Sequence, residues 1–167
     1  FSALLIIMPA FASQSPIQLD KKHKIVLVTQ AKHTQGALIT RTYPKLVVSG
    51  SSQNAFNVQV ADTVQALNTA FLKDATQGKH PKSTLSTHYT LYRSTLNQHP
   101  VVSVLFESES NITGYAHPSH PLSSVTYDVV QNKVLTLGDV FKSGSDYLNV
   151  LSAYTRNELM SRKDAKQ

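Results

Sequence analysis

The stretch that decides the fold runs from Pro100 to Phe141 and reads PVVSVLFESESNITGYAHPSHPLSSVTYDVVQNKVLTLGDVF. Val102, Val104 and Phe106 recur at every second position, so residues 101–107 read as a strand with one apolar face. Glu107 and Glu109 lie two apart and share the other face, where the strand reaches solvent. A turn at Gly114 to His117 follows. Val125, Tyr127 and Val129 then mark a face of the next strand, with Thr126 and Asp128 on its reverse. Gln131-Asn132-Lys133 turns the chain into residues 134–137, and Asp139 to Phe141 reads as a short helical turn. Strand, turn, strand and reversal in this order form an antiparallel meander.

Working outward from that meander, residues 25–29 (IVLVT) are β-branched and apolar and read as a strand, with a turn at 32–36. Residues 37–48 are a longer extended stretch. Pro44 lacks an N–H, which predicts an edge strand or a break at that point. Ser51 or Ser52 is placed to cap a helix. In that helix Phe56, Val60, Val64, Leu67 and Phe71 fall on one face, with Gln59, Asp62, Gln65 and Asn68 largely off it. Gly78 is the expected stop, with Pro81 just beyond. Residues 85–96 alternate as a strand, with Leu85, Thr87, Tyr89 and Leu91 on one side and Ser86, His88, Thr90 and Tyr92 on the other. Asn97-Gln98-His99-Pro100 turns the chain. Ser145 is placed to cap a last helix carrying Leu148, Leu151, Tyr154 or Thr155, and Leu159. The fold class is therefore α+β, a twisted antiparallel sheet with one long helix and a second C-terminal helix packed on it. Two small lobes, 25–97 and 98–167, are the expected division.

The chain has 167 residues, 41% apolar and 16% charged, enough to build a core. It has no cysteine, which excludes disulfides, thiol chemistry and a cysteine-ligated zinc. FSALLIIMPAFASQSP reads as the end of a secretory signal peptide. Ala10 and Ala12 are the small residues a signal peptidase recognises, so 1–12 is the expected leader and 13–24 a flexible segment. The apolar run is shorter than the roughly 20 residues a bilayer span needs. An exported protein, periplasmic or secreted, is the expectation. The sequence reads as a piece of a longer chain at both ends, without an initiator Met and stopping inside a helical pattern.

The net charge of +6 is uneven. Residues 1–50 carry six Lys/Arg and one Asp, 51–155 six against seven acids, and 156–167 four against two. Basic termini serve solubility or attract an anionic envelope surface. They lack the interleaved aromatics of a single-strand binder, and nucleic acid is not an expected partner.

Reaction chemistry finds no support. There is no Gly-x-Ser-x-Gly, no His-Glu-x-x-His and no glycine-rich phosphate loop. No catalytic residue, cofactor or metal is expected. His117 and His120 are three apart, but no acid lies in their loop and a metal site needs three or four ligands. The paired Glu107 and Glu109 read as a solvated strand edge. Gly114 supplies an unusual backbone angle, with His117 bonded to the neighbouring strand; alternatively the loop is a recognition edge. Asn111-Ile112-Thr113 is a glycosylation sequon that matters only in a eukaryotic secretory pathway.

The Gly114–His117 turn, the Tyr43-Pro44 pair and the acids at Asp128 and Asp139 carry a resemblance. From about Tyr43 to Leu159 the chain resembles an exported domain-of-unknown-function family. That family is found in the extracellular part of lysozyme-sensing RsiV-type anti-sigma factors and ahead of the catalytic domain of a peptidoglycan deacetylase. Relatives often have a glycine on each side of Ala-His; here Tyr115 and Pro118 stand there. The resemblance implies a non-enzymatic envelope module that binds or senses, with Gly114, Tyr115, His117 and His120 as the ligand-facing residues. A wall glycan or an envelope or secreted protein is the implied ligand. The accessory half of a longer polysaccharide deacetylase or wall hydrolase is the alternative. Lysozymes are typically basic, so the positive charge here favours a wall component.

Overall fold

The computed structural model describes residues 17–34, 36–49, 54–77 and 82–164. They form a seven-stranded sheet in sequence order: β1 (Ile17–Gln18), β2 (His23–Thr34), β3 (Ala37–Val48), β4 (Thr84–Leu96), β5 (His99–Asn111), β6 (Leu122–Asp128) and β7 (Lys133–Leu135). Helix α1 (Ala55–Gln77) joins β3 to β4, and α2 (Leu137–Val140) and α3 (Tyr147–Asp164) follow β7. The α+β class is as the sequence indicates.

The sheet is mostly antiparallel, as expected, with one parallel pair that the sequence does not indicate. Leu38–Arg41 of β3 runs parallel to Thr84–Thr87 of β4. A parallel pair needs a long crossover, and α1 supplies it. β2 also outlasts its expected strand. It pairs with β3 from His23↔Val48 to Thr34↔Ala37, so residues 32–34 of the expected 32–36 turn are strand, and Gly36 is in the turn. Twelve residues of ladder override a weak local preference. β4 and β5 pair from Thr84↔Asn111 to Leu96↔His99 around a two-residue turn. Asn97 and Gln98 have φ of 50° and 66°, the left-handed pair that a tight hairpin of this hand requires. The expected lobe division, 25–97 and 98–167, lies at this hairpin tip; by compactness the chain divides into residues 1–134 and 135–167.

Beyond Arg41 and Thr87, β3 and β4 are no longer paired. This explains Pro44. β3 is neither an edge strand nor broken, yet Pro44 is tolerated. The Leu38 N–H donates to the Ser83 carbonyl of the β4 side at 3.0 Å. By alternation, the even-numbered residues of β3 face β4, and the N–H that Pro44 lacks would point into the gap. Two residues on, α1 stands in for a strand. Asn57 Oδ1 accepts the Leu46 N–H at 2.8 Å. The side-chain amides of Asn57 and Asn54 donate to the Leu46 carbonyl at 2.8 and 3.1 Å. Both buried backbone groups are satisfied.

Asn54 also caps α1, its Oδ1 accepting the Asn57 N–H at 3.0 Å. The expected caps, Ser51 and Ser52, lie outside the described residues, as do Gly78 and Pro81. The last helix differs as well. Ser145 Oγ donates back to the Lys142 carbonyl, and the helix begins two residues later.

Two clusters form the core of the first unit. Phe56, Val60 and Val64 of α1 pack with Ile25, Leu46, Val102, Val104, Phe106, Val125 and Tyr127. Phe71 and Ala75 pack with Ala37, Ile39, Leu85 and Ile112. Each large side chain so buried contributes about 1.5–3 kcal/mol. Burial in β3 changes parity between Ile39 and Leu46, where β3 leaves β4.

Between the clusters lies a polar layer. Thr87 Oγ1 and Ser108 Oγ, both buried, are 2.9 Å apart. On α1, Asn68 falls between Val64 and Phe71 and is 4% exposed, not off the core face as its sequence position suggests. Among the described residues, its buried Oδ1 has no hydrogen-bond partner. A buried orphan acceptor costs about 1–3 kcal/mol. Asn68→Leu should therefore raise the unfolding free energy by about 1 kcal/mol in urea denaturation. A loss of stability would mean that Asn68 is satisfied by a water or a partner.

Leu148, Tyr154, Leu159 and Met160 of α3 are each more than half exposed. Among the described residues no helix is long and apolar enough to cross a membrane.

Candidate binding surface

Alternation gives β4, β5 and β6 a buried face and an outer one. On the outer face, registers align Ser86 with Glu109, His88 with Glu107 and Leu122, Thr90 with Leu105 and Ser124, and Tyr92 with Ser103 and Thr126. Short polar side chains are tied together. Ser86 Oγ and His88 Nε2 are 3.0 Å apart, and so are Ser103 Oγ and Thr126 Oγ1. Thr90 Oγ1 donates to Glu107 Oε2 at 3.4 Å. No Lys or Arg lies on this face of the three strands. The result is an exposed lattice of hydroxyl, imidazole and carboxylate groups, with rows set about 4.8 Å apart by strand spacing.

The loop between β5 and β6 adjoins this face. It is closed by a bridge between Ser110 and Ser119, whose two N–H···O bonds are 2.8 and 2.9 Å. The Ser108 N–H donates to the Pro121 carbonyl at 3.1 Å. Continuing that register sets His120 opposite Glu109, on the side of Glu107 and Leu122. Gly114 has φ of 95°, so its role as a turn glycine is met. Gly114, Tyr115, His117 and His120 are all exposed, Tyr115 by 57%. His117 does not bond the neighbouring strand; the backbone of Ser119 makes that connection. Thus the loop brings His120 toward Glu109 and leaves His117 nearer the tip. No group of three His, Asp or Glu among the described residues is arranged to hold a metal.

Asp128 is a turn acid, as its position suggests, and also something the sequence did not disclose. Its Oδ1 accepts the N–H groups of Val130 and Gln131 at 2.9 and 2.8 Å. Its Oδ2 lies 2.8 Å from His99 Nδ1, with the carboxylate side chain 4% exposed. Burial pushes the Asp128 carboxyl up, but the bonds from Gln131, His99 and Val130 outweigh it and hold the carboxyl below its ordinary value. The Tyr127 hydroxyl is pushed up, first by burial and then by the Asp128 charge. That hydroxyl donates to Asn132 Oδ1 at 2.6 Å. The same Oδ1 accepts the Ala55 N–H at the start of α1. Its ring packs edge-on to Phe56, with centroids 5.5 Å apart. Asp139 behaves as expected of a cap acid, its Oδ2 accepting the Thr136 N–H and hydroxyl at 2.7 and 2.6 Å.

These features define an α+β module with a polar outer sheet face and an exposed histidine-bearing loop. By sequence, the chain matches no described family and no characterised protein. By structure it is similar to a DUF3298 family protein from Pseudomonas aeruginosa PAO1, a domain of unknown function solved by crystallography. The match has a TM-score of 0.54 and 19% identity, over 86% of this chain and 69% of that one. The likeness is one of fold.

Proposed function

We propose that this chain is an exported, non-enzymatic binding module of the cell envelope, and that it takes a wall glycan on the outer face of β4–β6 and the adjoining loop. The carrying observation is that face. It offers His88, Thr90, Glu107, Glu109 and Ser124 as closely spaced donors and acceptors, a chemistry matched to sugar hydroxyls. His120, set opposite Glu109 by the register of the loop bridge, adds an exposed imidazole at its border. The signal-peptide pattern ending at Ala12 supports export. A basic envelope or secreted protein is the second reading, favoured by two carboxylates on a face without Lys or Arg.

Co-sedimentation with purified cell-wall sacculi tests the proposal. Pelleting is expected to survive high salt and to weaken at least about tenfold in an E107Q/H120A variant, which removes an acceptor and a ring from the face. Pelleting that vanishes with salt would reduce the effect to adhesion of the basic termini. No pelleting at either salt would overturn the glycan reading in favour of the protein one.

A further inference from the structure

We propose that the free edge of β4 is a homodimer interface, at which two copies of the chain pair their β4 strands antiparallel about a twofold axis at Tyr92. β4 is bonded to β3 only as far as Thr87, and from His88 to Leu96 its β3-side edge has no strand partner among the described residues. The direction of its backbone groups is fixed twice over. The Ser83 carbonyl accepts from Leu38, so odd-numbered residues face β3. The two-residue hairpin closes on Leu96 and His99, so even-numbered residues face β5. Tyr89, Leu91, Arg93 and Thr95 therefore present N–H and C=O groups outward at strand spacing, which is a template for another strand.

The two sides of the gap are treated differently. On β3, Pro44 offers no N–H, and both groups of Leu46 are taken by Asn54 and Asn57. That edge is blocked. Among the described residues, the facing edge of β4 carries none of the usual protections except one charge, Arg93, and its sequence HYTLYRSTL is rich in strand-forming residues.

A second copy fits this edge in register. With the axis at Tyr92, Tyr89 meets Thr95, Leu91 meets Arg93, Thr90 meets Ser94 and His88 meets Leu96. The whole free edge is then used. The odd-numbered pairs occupy the hydrogen-bonded positions, as their outward groups require. No like charges oppose one another. An axis at Arg93 would set two guanidinium groups face to face. Tyr92, 54% exposed in the single chain, meets Tyr92 of the second copy at a position where opposed side chains come closest. Pairing also joins the two outer faces into one.

The full chain should sediment as a reversible dimer. Arg93→Pro removes an outward N–H while leaving the β5 ladder intact, because strand proline is tolerated where its N–H side is free. It should weaken the dimer at least about tenfold, through two symmetry-related bonds, with unchanged circular dichroism. The chain has no cysteine, so single substitutions report the register directly. Tyr92→Cys should cross-link to itself under mild oxidation, since opposed residues at such positions have Cα atoms about 4.5 Å apart, within disulfide reach. Thr90→Cys should not, because it faces Ser94. A chain that stays monomeric up to about 1 mM would overturn the proposal. So would a dimer that survives Arg93→Pro, or cross-linking at Thr90→Cys equal to that at Tyr92→Cys.

Discussion

Phe106→Ala is expected to lower the unfolding free energy by about 3–5 kcal/mol. Phe106 is fully buried, faces Tyr89 and Ser123 across the ladders and lies in the cluster shared by α1, β2, β3, β5 and β6. Beyond Arg41 β3 is no longer paired with β4, so β2 and β3 are held to the rest largely by what they and α1 share in that cluster. Removing the ring takes away its transfer free energy and leaves a void that neighbours close incompletely. Leu105→Ala, one residue away on the outer face, is the control and should cost less than about 1.5 kcal/mol, since Leu105 is only half-buried. Urea unfolding of the two variants, with m-values compared, decides the matter. Equal losses would mean that the outer face is covered and that the alternation of burial in β5 has been misread.

That alternation was the most legible part of the chain. Val102, Val104 and Phe106 against Glu107 and Glu109, and Val125, Tyr127 and Val129 against Thr126, follow period-2 rules that survive in the folded state. The α1 stripe was nearly as clear, because a helix lying on a sheet must show an apolar face. The parallel β3–β4 pair was not legible. Strand direction depends on where α1 carries the chain, and no local residue encodes that. Pro44 was read as a defect in one strand, whereas the structure makes it a property of a gap between two. For the loop, sequence reasoning found the exposed Gly114–His120 turn but not the face beside it. His88, Glu107 and His120 come together through registers between strands far apart in sequence, and no motif of fixed spacing marks them. The same holds for His99 and Asp128, 29 residues apart.

Asp128→Ala should cost about 2–4 kcal/mol near neutral pH, and its effect should fade in acid. Alanine leaves the N–H groups of Val130 and Gln131 and the His99 ring without an acceptor in a shielded position. Asp128→Asn keeps an oxygen for the two N–H groups but loses the charge, so it should fall between alanine and the native residue. His99→Ala spares both backbone bonds and should cost about 1 kcal/mol. The pH dependence follows from the lowered carboxyl. A group whose folded pKa lies below its unfolded value stabilises fully above the unfolded value, about 3.9 for Asp, and loses that contribution as pH falls through the folded one. The stability gap between native protein and Asp128→Ala should thus be widest near neutrality and shrink below about pH 4. Chemical denaturation at a series of pH values measures it. A gap that persists undiminished below that range would show that Asp128 acts through packing, and that its ionised form is not what ties the root of β5 to the end of β6.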